Sequence, residues 1–368
     1  MKIALVIHSL QAGGAERACG LLAQGFLDQG REVTVITLSH TAPDFYALDA
    51  RAQRIVLDLA QPSSHVFSAL KNNIRRVCVL RKAILDTRAS CVISFMHHTN
   101  IRCALALWGT SVKLIASEQI DPRFSSLSLM GKWLQRWVYK RLDGLVSGSF
   151  GVDHNFSWFP SSKRVVIYNP LPPIDDTYSR PSLMDASKKW VIAAGRFTHQ
   201  KGFDYLIKMF SSLAGDFSDW NLIILGDGEL RIYFESLIQE HDLRNRVFLP
   251  GNAQNIFAYF RSANLFVLPS RFEGFGNVLA EALACGLPAI AFDCPSGPSE
   301  IIRSETGGVL VSQGDVHAFA CAMRRLMNDE NERKRLAGHA PEAMRRFHLE
   351  SIMRDWERFL SQLFKKRE

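Results

Sequence analysis

No apolar run in the 368-residue chain approaches the ~18–20 residues that span a bilayer, so the sequence predicts no membrane crossing. The opening MKIALVIHSL has one lysine and a short apolar core but runs straight into Gln11-Ala-Gly13-Gly14, so it reads as a buried first strand and not as a secretion signal. Cysteine is sparse: seven residues (19, 78, 91, 103, 285, 294, 321), odd in number, with no C-x-x-C pair. That excludes a disulfide framework or cysteine zinc site and fits the reduced thiols of a cytosolic protein. No G-x-G-x-x-G follows the first strand, and Leu38-Ser39 stands where an acidic ribose ligand would end the second, which disfavours a dinucleotide site. Internal repeats and low-complexity tracts are absent. Acidic residues are short only in the first half: residues 1–174 carry 11 Asp and Glu against 20 Lys and Arg, whereas residues 175–368 carry 25 against 24. A basic first half implies an anionic neighbour, either a membrane surface or a phosphorylated substrate; no recognisable nucleic-acid module accompanies the charge.

What is present is alternation. Short apolar segments at 3–7, 33–38, 91–95, 112–116, 144–146 and 165–168 are separated by helical patterns, and the alternation restarts at 190–194, 221–225, 247–249, 265–268, 289–292 and 308–311. This predicts an α/β chain of two doubly wound, Rossmann-like domains with parallel sheets, whose ligands bind at the carboxyl ends of the strands. The stiff Asn169-Pro-Leu-Pro-Pro173 and the polar run from Asp175 to Pro181 mark the boundary. The expected division is a first domain over 1–172, a connector over 173–187, a second domain over 188–348 and a last helix over 349–368, with the two domains facing a cleft. That last helix is amphipathic (Ile352, Trp356, Phe359, Leu360, Leu363), ends in Lys-Lys-Arg and requires a surface to pack on.

The residues just past each strand carry the chemistry. In Arg271–Gly286, Glu273 falls in a strand-to-helix loop loosened by Gly274 and Gly276, and Glu281 lies about one turn inside the following helix. The helix-start amides of Phe275, Gly276 and Asn277 suit a phosphate, and two hydroxyl-binding carboxylates flanking them fit a nucleotide-sugar. On spacing alone, Glu273 as a dipole partner and Glu281 as a solvated charge is an equal reading. After the first strand of the second half, Arg196 closes the strand and Lys201 opens the next helix, so both cations converge on an anion; the stretch is no Walker loop. Gly226-Asp227-Gly228-Glu229 places acidic groups at a helix start, where dipole compensation suffices without a metal. In the first half, Gly13-Gly14 with Glu16 opens a helix and permits close approach of a diphosphate or sugar, a plain tight turn being the alternative. His97-His98 follow the strand at 91–95; in extended backbone two adjacent histidines cannot both face one ligand. The polar run Ser117-Glu118-Gln-Ile-Asp121-Pro122-Arg123 also ends a strand and either meets an acceptor or caps a loop.

Two helical stretches are basic. Lys132, Arg136 and Lys140 recur at i, i+4, i+8 beside Trp133 and Trp137, and Lys71, Arg75, Arg76, Arg81 and Lys82 cluster likewise. Such stripes suit contact with anionic lipid; the alternative buries the tryptophans in the core.

Taken together, Gly13-Gly14 with Glu16, Gly195-Arg196 with Lys201-Gly202, Gly226-Asp-Gly, and Glu273-Gly-Phe-Gly with Glu281 resemble the retaining glycosyltransferases of family 4, over essentially the whole chain. Tyr168-Asn169-Pro170 and the run from Asp293 to Ile302 resemble the bacterial members that build lipid-linked, exopolysaccharide or lipopolysaccharide sugars from UDP-hexoses or UDP-N-acetylhexosamines. The resemblance implies the GT-B fold, with an acceptor-binding first domain, a nucleotide-sugar-binding second domain and a last helix that returns to the first. It further implies that Arg196 and Lys201 neutralise the donor diphosphate in place of a metal, with no cofactor beyond the UDP-sugar. Glu281 would hold the ribose, Glu273 the donor sugar, and His97 or His98 the sugar and β-phosphate; Gly226 and Asn252 join the donor-binding set. The implied setting is the inner face of the cytoplasmic membrane. A UDP-sugar epimerase of the same fold, or a non-catalytic membrane-surface module, are the alternatives.

Overall fold

The computed structural model describes residues 1–39, 44–59, 66–174, 178–303 and 307–365, and the side chains of all of these except 66–71. Three parts of the sequence reading, namely the acidic start of the connector at Asp175–Thr177, the Lys71 side chain and the terminal Lys366-Arg367, lie outside the described residues. The chain divides into two compact units, Met1–Pro170 together with Leu349–Glu368, and Leu171–His348.

The first unit runs β1 (Lys2–Ile7), α1 (Gly14–Asp28), β2 (Glu32–Thr37), β3 (Gln53–Val56), α2 (Val66–Asp86), β4 (Cys91–Phe95), α3 (His97–Ala106), β5 (Lys113–Glu118), α4 (Leu129–Val138), β6 (Gly144–Ser147), α5 (Phe150–His154) and β7 (Arg164–Val166). The second runs β8 (Lys189–Ala194), α6 (Phe203–Ala214), β9 (Trp220–Leu225), α7 (Arg231–Glu240), β10 (Val247–Gly251), α8 (Ile256–Ser262), β11 (Leu265–Leu268), α9 (Asn277–Ala284), β12 (Ala289–Asp293), α10 (Pro298–Ile301), β13 (Gly308–Ser312), α11 (Val316–Asn328) and α12 (Glu330–Met344). A last helix, α13 (Leu349–Lys365), rejoins the first unit.

Each unit holds one parallel sheet, in the orders β3-β2-β1-β4-β5-β6-β7 and β10-β9-β8-β11-β12-β13. The strands are nearly unbroken apolar runs, as burial on both faces demands: β1 buries Ile3 through Ile7, and β9 is buried throughout. β3 has no counterpart among the predicted strands because it is a four-residue edge strand, half-exposed along its length, with no apolar run to announce it. In each sheet the chain order reverses beside the first strand of its unit, between β1 and β4 and between β8 and β11. Ligands of such sheets bind at these reversals.

The amphipathic α13 lays Ile352, Met353, Trp356 and Phe359 into the core that also contains Leu22 and Phe26 of α1. Trp356 meets Phe26 edge to face at 6.0 Å. Two glycines make room for it. A Cβ on Gly25 would stand 2.5 Å from the Met353 sulfur, and one on Gly144 would stand 2.6 Å from the Phe359 ring. An ion pair between Arg31 and Glu357 fixes its register from outside.

The helix α4 turns its tryptophans outward. Trp133 is 68% exposed and Trp137 42%, and Leu129 and Met130 beside them are more exposed still, so the core is not where this stripe goes. Trp137 stacks on Trp108 at 4.9 Å and 14°, extending the apolar surface beyond the helix. Arg136 and Lys140 are exposed and Lys132 half-exposed along the same helix and its continuation. The Ser128 hydroxyl caps α4 by accepting from the Gly131 amide at 3.2 Å.

Candidate active site

In the second unit the turns after β8 and β11 lie side by side, because these strands pair directly, Leu265 opposite Val191 and Phe266 opposite Ile192. The turns are stitched together. The Gln200 side chain donates to the Phe272 carbonyl at 3.0 Å, the Arg271 amide donates to the Gln200 carbonyl at 2.8 Å, and the Arg271 guanidinium grips Asp204 at 2.7 and 2.9 Å. Across this seam Lys201 Nζ donates to Glu273 Oε1 at 2.7 Å, and the Ser270 hydroxyl donates to the same oxygen at 2.7 Å. The pair is nearly out of solvent, with side chains 14% and 6% exposed. Glu273 thus holds the ammonium in one place while leaving Lys201 further N–H donors for an anion.

Gly202, φ +66°, makes the junction possible: a Cβ there would sit 2.1 Å from the Pro269 carbonyl oxygen. Arg196 is exposed and makes no side-chain hydrogen bond or ion pair among the described residues, so it stands as an available cation at the end of β8. The turn after β9 closes against that of β8. Gly226, φ +134°, would place a Cβ 2.0 Å from the Gly195 carbonyl oxygen, and Asn252 is exposed in the adjoining turn after β10. Asp227 accepts from the Gly228 amide at 2.8 Å and from Arg231 at 3.1 Å, so its carboxylate is engaged within its own turn.

Beyond Glu273, Phe275 turns its ring inward against Phe347 at 5.1 Å, which leaves its backbone as the part that a ligand could meet. Gly276, φ +98°, caps α9, and the first backbone bonds of that helix run from Leu279 and Ala280 to the Gly276 carbonyl. Asn277 opens α9 and Glu281 lies one turn in, only 2% exposed. Neither glutamate is a solvated surface charge, since Glu273 is 5% exposed. Buried carboxylates are retained where they have partners, and these two flank a helix start.

In the first unit, Gly13 is extended and precedes α1, and the Glu16 carboxylate folds back onto it, 2.1 Å from where a Gly13 Cβ would stand. His97 and His98 are not in extended backbone. Met96 takes φ +72° and turns the chain directly into α3, so both histidines occupy its first turn, ring centroids 4.3 Å apart. His97 is buried, its Nε2 has no hydrogen-bond partner, and burial together with His98 pushes its pKa down to about 4. His98 is exposed and shares a hydrogen bond with the Ser126 hydroxyl at 3.1 Å. Its pKa is also lowered, first by burial and then by Arg102 and His8.

Two family models cover nearly all of the chain: that of Glycosyltransferase Family 4 matches residues 12–173, and that of Glycosyl transferases group 1 matches residues 175–343. The chain belongs to glycosyltransferase family 4. A similar protein of Campylobacter jejuni, named GalNAc-alpha-(1->4)-GalNAc-alpha-(1->3)-diNAcBac-PP-undecaprenol alpha-1,4-N-acetyl-D-galactosaminyltransferase, is 27% identical over 365 residues, 99% of either chain. Sucrose-phosphate synthase from Thermosynechococcus elongatus superimposes with a TM-score of 0.82 at 19% identity, over 99% of both chains. Anabaena Alr3699/HepE in complex with UDP and glucose does so with 0.77 at 20% identity, over 98% of this chain and 99% of that one. The fold is GT-B.

In this glycosyltransferase, the sequence-predicted Arg196, Lys201, Gly226, Asn252, Glu273, Phe275, Gly276, Asn277 and Glu281 belong to the second unit, in the turns that follow strands or within α9. Gly13, Gly14, Glu16, His97 and His98 belong to the first. Sequence reading passes over His8 and Arg102. The first of these directly follows β1, the position from which a strand-end search would have found it.

The strand-end run at 117–123 divides in two. Asp121 accepts from the Arg123 amide at 2.9 Å and caps its own turn. Glu118 is instead interior, 2% exposed, and one carboxylate oxygen accepts from Asn100 at 3.0 Å, Gln135 at 3.4 Å and the Tyr139 hydroxyl. Among the described residues no cation faces it, and burial pushes its pKa up to about 7 from 4.5, against the lowering effect of these three donors. Between those two pH values the unfolded chain has released a proton that the folded glycosyltransferase keeps. This group therefore lowers stability as pH rises through that window, by about 1–3 kcal/mol in all. Glu118→Gln is expected to remove that slope: calorimetry at pH 5 and pH 8 should find the variant gaining on the wild type at the higher pH. An unchanged difference in Tm would contradict a proton on Glu118.

Proposed function

We propose that the protein transfers a hexose or N-acetylhexosamine from a UDP-sugar to a lipid-linked or lipopolysaccharide-type acceptor, with retention at the anomeric carbon, in cell-surface polysaccharide synthesis. The observation that carries this reading is the buried Lys201–Glu273 pair on adjoining turns, beside the exposed Arg196 and ahead of the start of α9. The Anabaena structure with UDP and glucose supports a uridine diphosphate donor, and the acceptor in the Campylobacter name, built on PP-undecaprenol, supports a lipid-linked one.

On this reading the second unit holds the donor. Arg196 and Lys201 oppose the charge that builds on the β-phosphate as the sugar–phosphate bond breaks, taking the part that a divalent metal plays elsewhere. Glu281 accepts from the ribose hydroxyls and Glu273 from a sugar hydroxyl. Gly226, Asn252 and the backbone of Phe275, Gly276 and Asn277 line the nucleotide and diphosphate. Gly13, Gly14 and Glu16 are assigned to binding of the diphosphate or sugar, and a neutral His97 or His98 to the sugar and β-phosphate. The acceptor hydroxyl attacks the face that UDP leaves, with a donor phosphate oxygen taking its proton, which retains the configuration. A screen of UDP-glucose, UDP-galactose and their N-acetylamino counterparts with membrane lipid extract should release UDP with at least one donor; no release from any of them would overturn the assignment.

The exposed face of α4 fits the inner face of the cytoplasmic membrane. Among the described residues no helix is long and apolar enough to cross a membrane, but Leu129, Met130, Trp133 and Trp137 with three cations form an interfacial surface. Trp133→Ala combined with Trp137→Ala should weaken binding to phosphatidylglycerol vesicles by about tenfold, ~1.4 kcal/mol. Raising the salt should weaken the wild type further. Equal sedimentation of wild type and variant with vesicles would remove α4 from the membrane contact.

A further inference from the structure

One buried carboxylate oxygen joins two helices of the first unit. Glu118 closes β5, and its Oε1 accepts from Asn100 of α3, from Gln135 of α4 and from the hydroxyl of Tyr139 just beyond α4. All four side chains are buried, Asn100 and Tyr139 completely. Both amides are used to capacity as donors: Asn100 Nδ2 also donates to the Ser117 carbonyl at 3.3 Å, and Gln135 Nε2 to the Tyr139 oxygen at 3.1 Å. Withdrawing such groups from water is costly unless they are hydrogen-bonded, and once bonded they fix one arrangement of the elements they join.

Asn100 belongs to the first turn of α3, three residues after His97. The entry to that turn is not one the local chain favours. Met96 holds φ +72°, at a cost of about 1–2 kcal/mol for a residue with a Cβ, and such a conformation persists only where its surroundings enforce it. The end of β5 does so. The Ser117 carbonyl accepts from the Met96 amide at 3.1 Å as well as from Asn100, and Glu118 takes the other Asn100 N–H at 3.0 Å. The Asn100 amide in turn donates to the Met96 carbonyl at 2.9 Å, so the strained residue is tied to the clamped one. His97 stands in the chain between these two anchors, buried, with an Nε2 that lacks a hydrogen-bond partner. A buried ring nitrogen left so is costly unless a ligand supplies the partner.

We propose that Glu118 is a positioning residue for sugar transfer: by clamping Asn100 it holds the first turn of α3 in the arrangement that the role of His97 toward the donor sugar and β-phosphate requires. This rests on the reading of the protein as a transferase in which a histidine of that turn serves the donor. It also selects between the two, since the His98 ring is already engaged with Ser126 whereas His97 Nε2 is not engaged. Glu118 acts through Asn100 and touches no substrate.

The test uses the full chain and three readouts. These are steady-state rates with whichever of UDP-glucose, UDP-galactose and their N-acetylamino counterparts is turned over, UDP affinity, and the His97 imidazole resonances of the unliganded protein, assigned by comparison with His97→Ala. Glu118→Leu keeps the bulk and removes the acceptor. It is expected to lower kcat by roughly 10–100-fold, to leave UDP affinity unchanged and to shift the His97 resonances. Glu118→Gln, whose carbonyl oxygen still accepts from Asn100, should bring both rate and resonances back near those of the wild type. On a His97→Ala background Glu118→Leu should cost no further rate, because both changes remove one interaction. Asn100→Ala breaks the clamp from its other side and carries the test if Glu118→Leu does not fold. A loss of rate that persists undiminished on the His97→Ala background, or His97 resonances unmoved in Glu118→Leu and in Asn100→Ala, would overturn the proposal. If the wild type turns over no UDP-sugar while the resonances respond as described, Glu118 still positions His97 and the transferase reading falls alone. If sugar is transferred and the resonances stay in place, the positioning role falls alone.

Discussion

Lys201→Ala is expected to lower kcat/KM for the sugar donor by roughly 10²–10³-fold, the usual cost of losing one preorganised group that opposes developing charge. It should also cost stability, because Glu273 would keep its burial and lose its cation, and breaking a buried pair from one side is strongly destabilising, by about 3–5 kcal/mol. The two effects can be separated. Lys201→Met with Glu273→Gln leaves no uncompensated charge, so it should recover most of the lost Tm while staying as inactive as Lys201→Ala. Thermal melts and initial rates of UDP release check both halves; transfer near the wild-type rate in either variant would exclude Lys201 from the chemistry.

Gly202→Ala should be nearly as damaging without touching a charge. The left-handed conformation alone costs a residue with a Cβ about 1–2 kcal/mol, and here the new methyl also meets the Pro269 carbonyl oxygen at 2.1 Å. Backbone on both sides forbids an easy escape, so the turn carrying Lys201 must move away from the turn carrying Glu273. A displacement of about 1 Å at a reacting centre costs on the order of 100-fold in rate. The expected signature is a protein that still folds, with donor turnover down by about that factor. Unimpaired turnover in Gly202→Ala would mean that the two turns need not meet.

The sheets and the motif-bearing turns were legible because they depend on local signals: buried apolar runs of strand length, glycine at tight turns, and polar residues just beyond a strand. Lys201 and Glu273 are 72 positions apart, yet strand-end reasoning sets them on neighbouring turns, and there they pair. The sequence gives no notice of β3, whose four residues carry too little apolar character. The state of His97 and His98 is likewise hidden, since it depends on Met96 adopting a positive φ that tertiary packing imposes on a residue with no preference for it. Trp133 and Trp137 are ambiguous for another reason: a stripe of tryptophans beside a stripe of cations reads the same whether it faces a core or a lipid. A cavity of the first unit lined by His8, Arg76 and Arg102 is not legible either, because these residues come from three separated segments that only the folded sheet assembles.

The return of α13 to the first unit bears on how the protein is made. The core that holds Leu22 and Phe26 is completed only when Ile352, Met353 and Trp356 arrive, and those residues are synthesised some 180 positions after the rest of that unit, with the whole second unit in between. At about 5–20 residues per second the ribosome needs roughly 10–40 s to reach them. The second unit is contiguous and can close first, while the earlier one waits, its apolar groove open to chaperones and to other nascent chains, for its final helix.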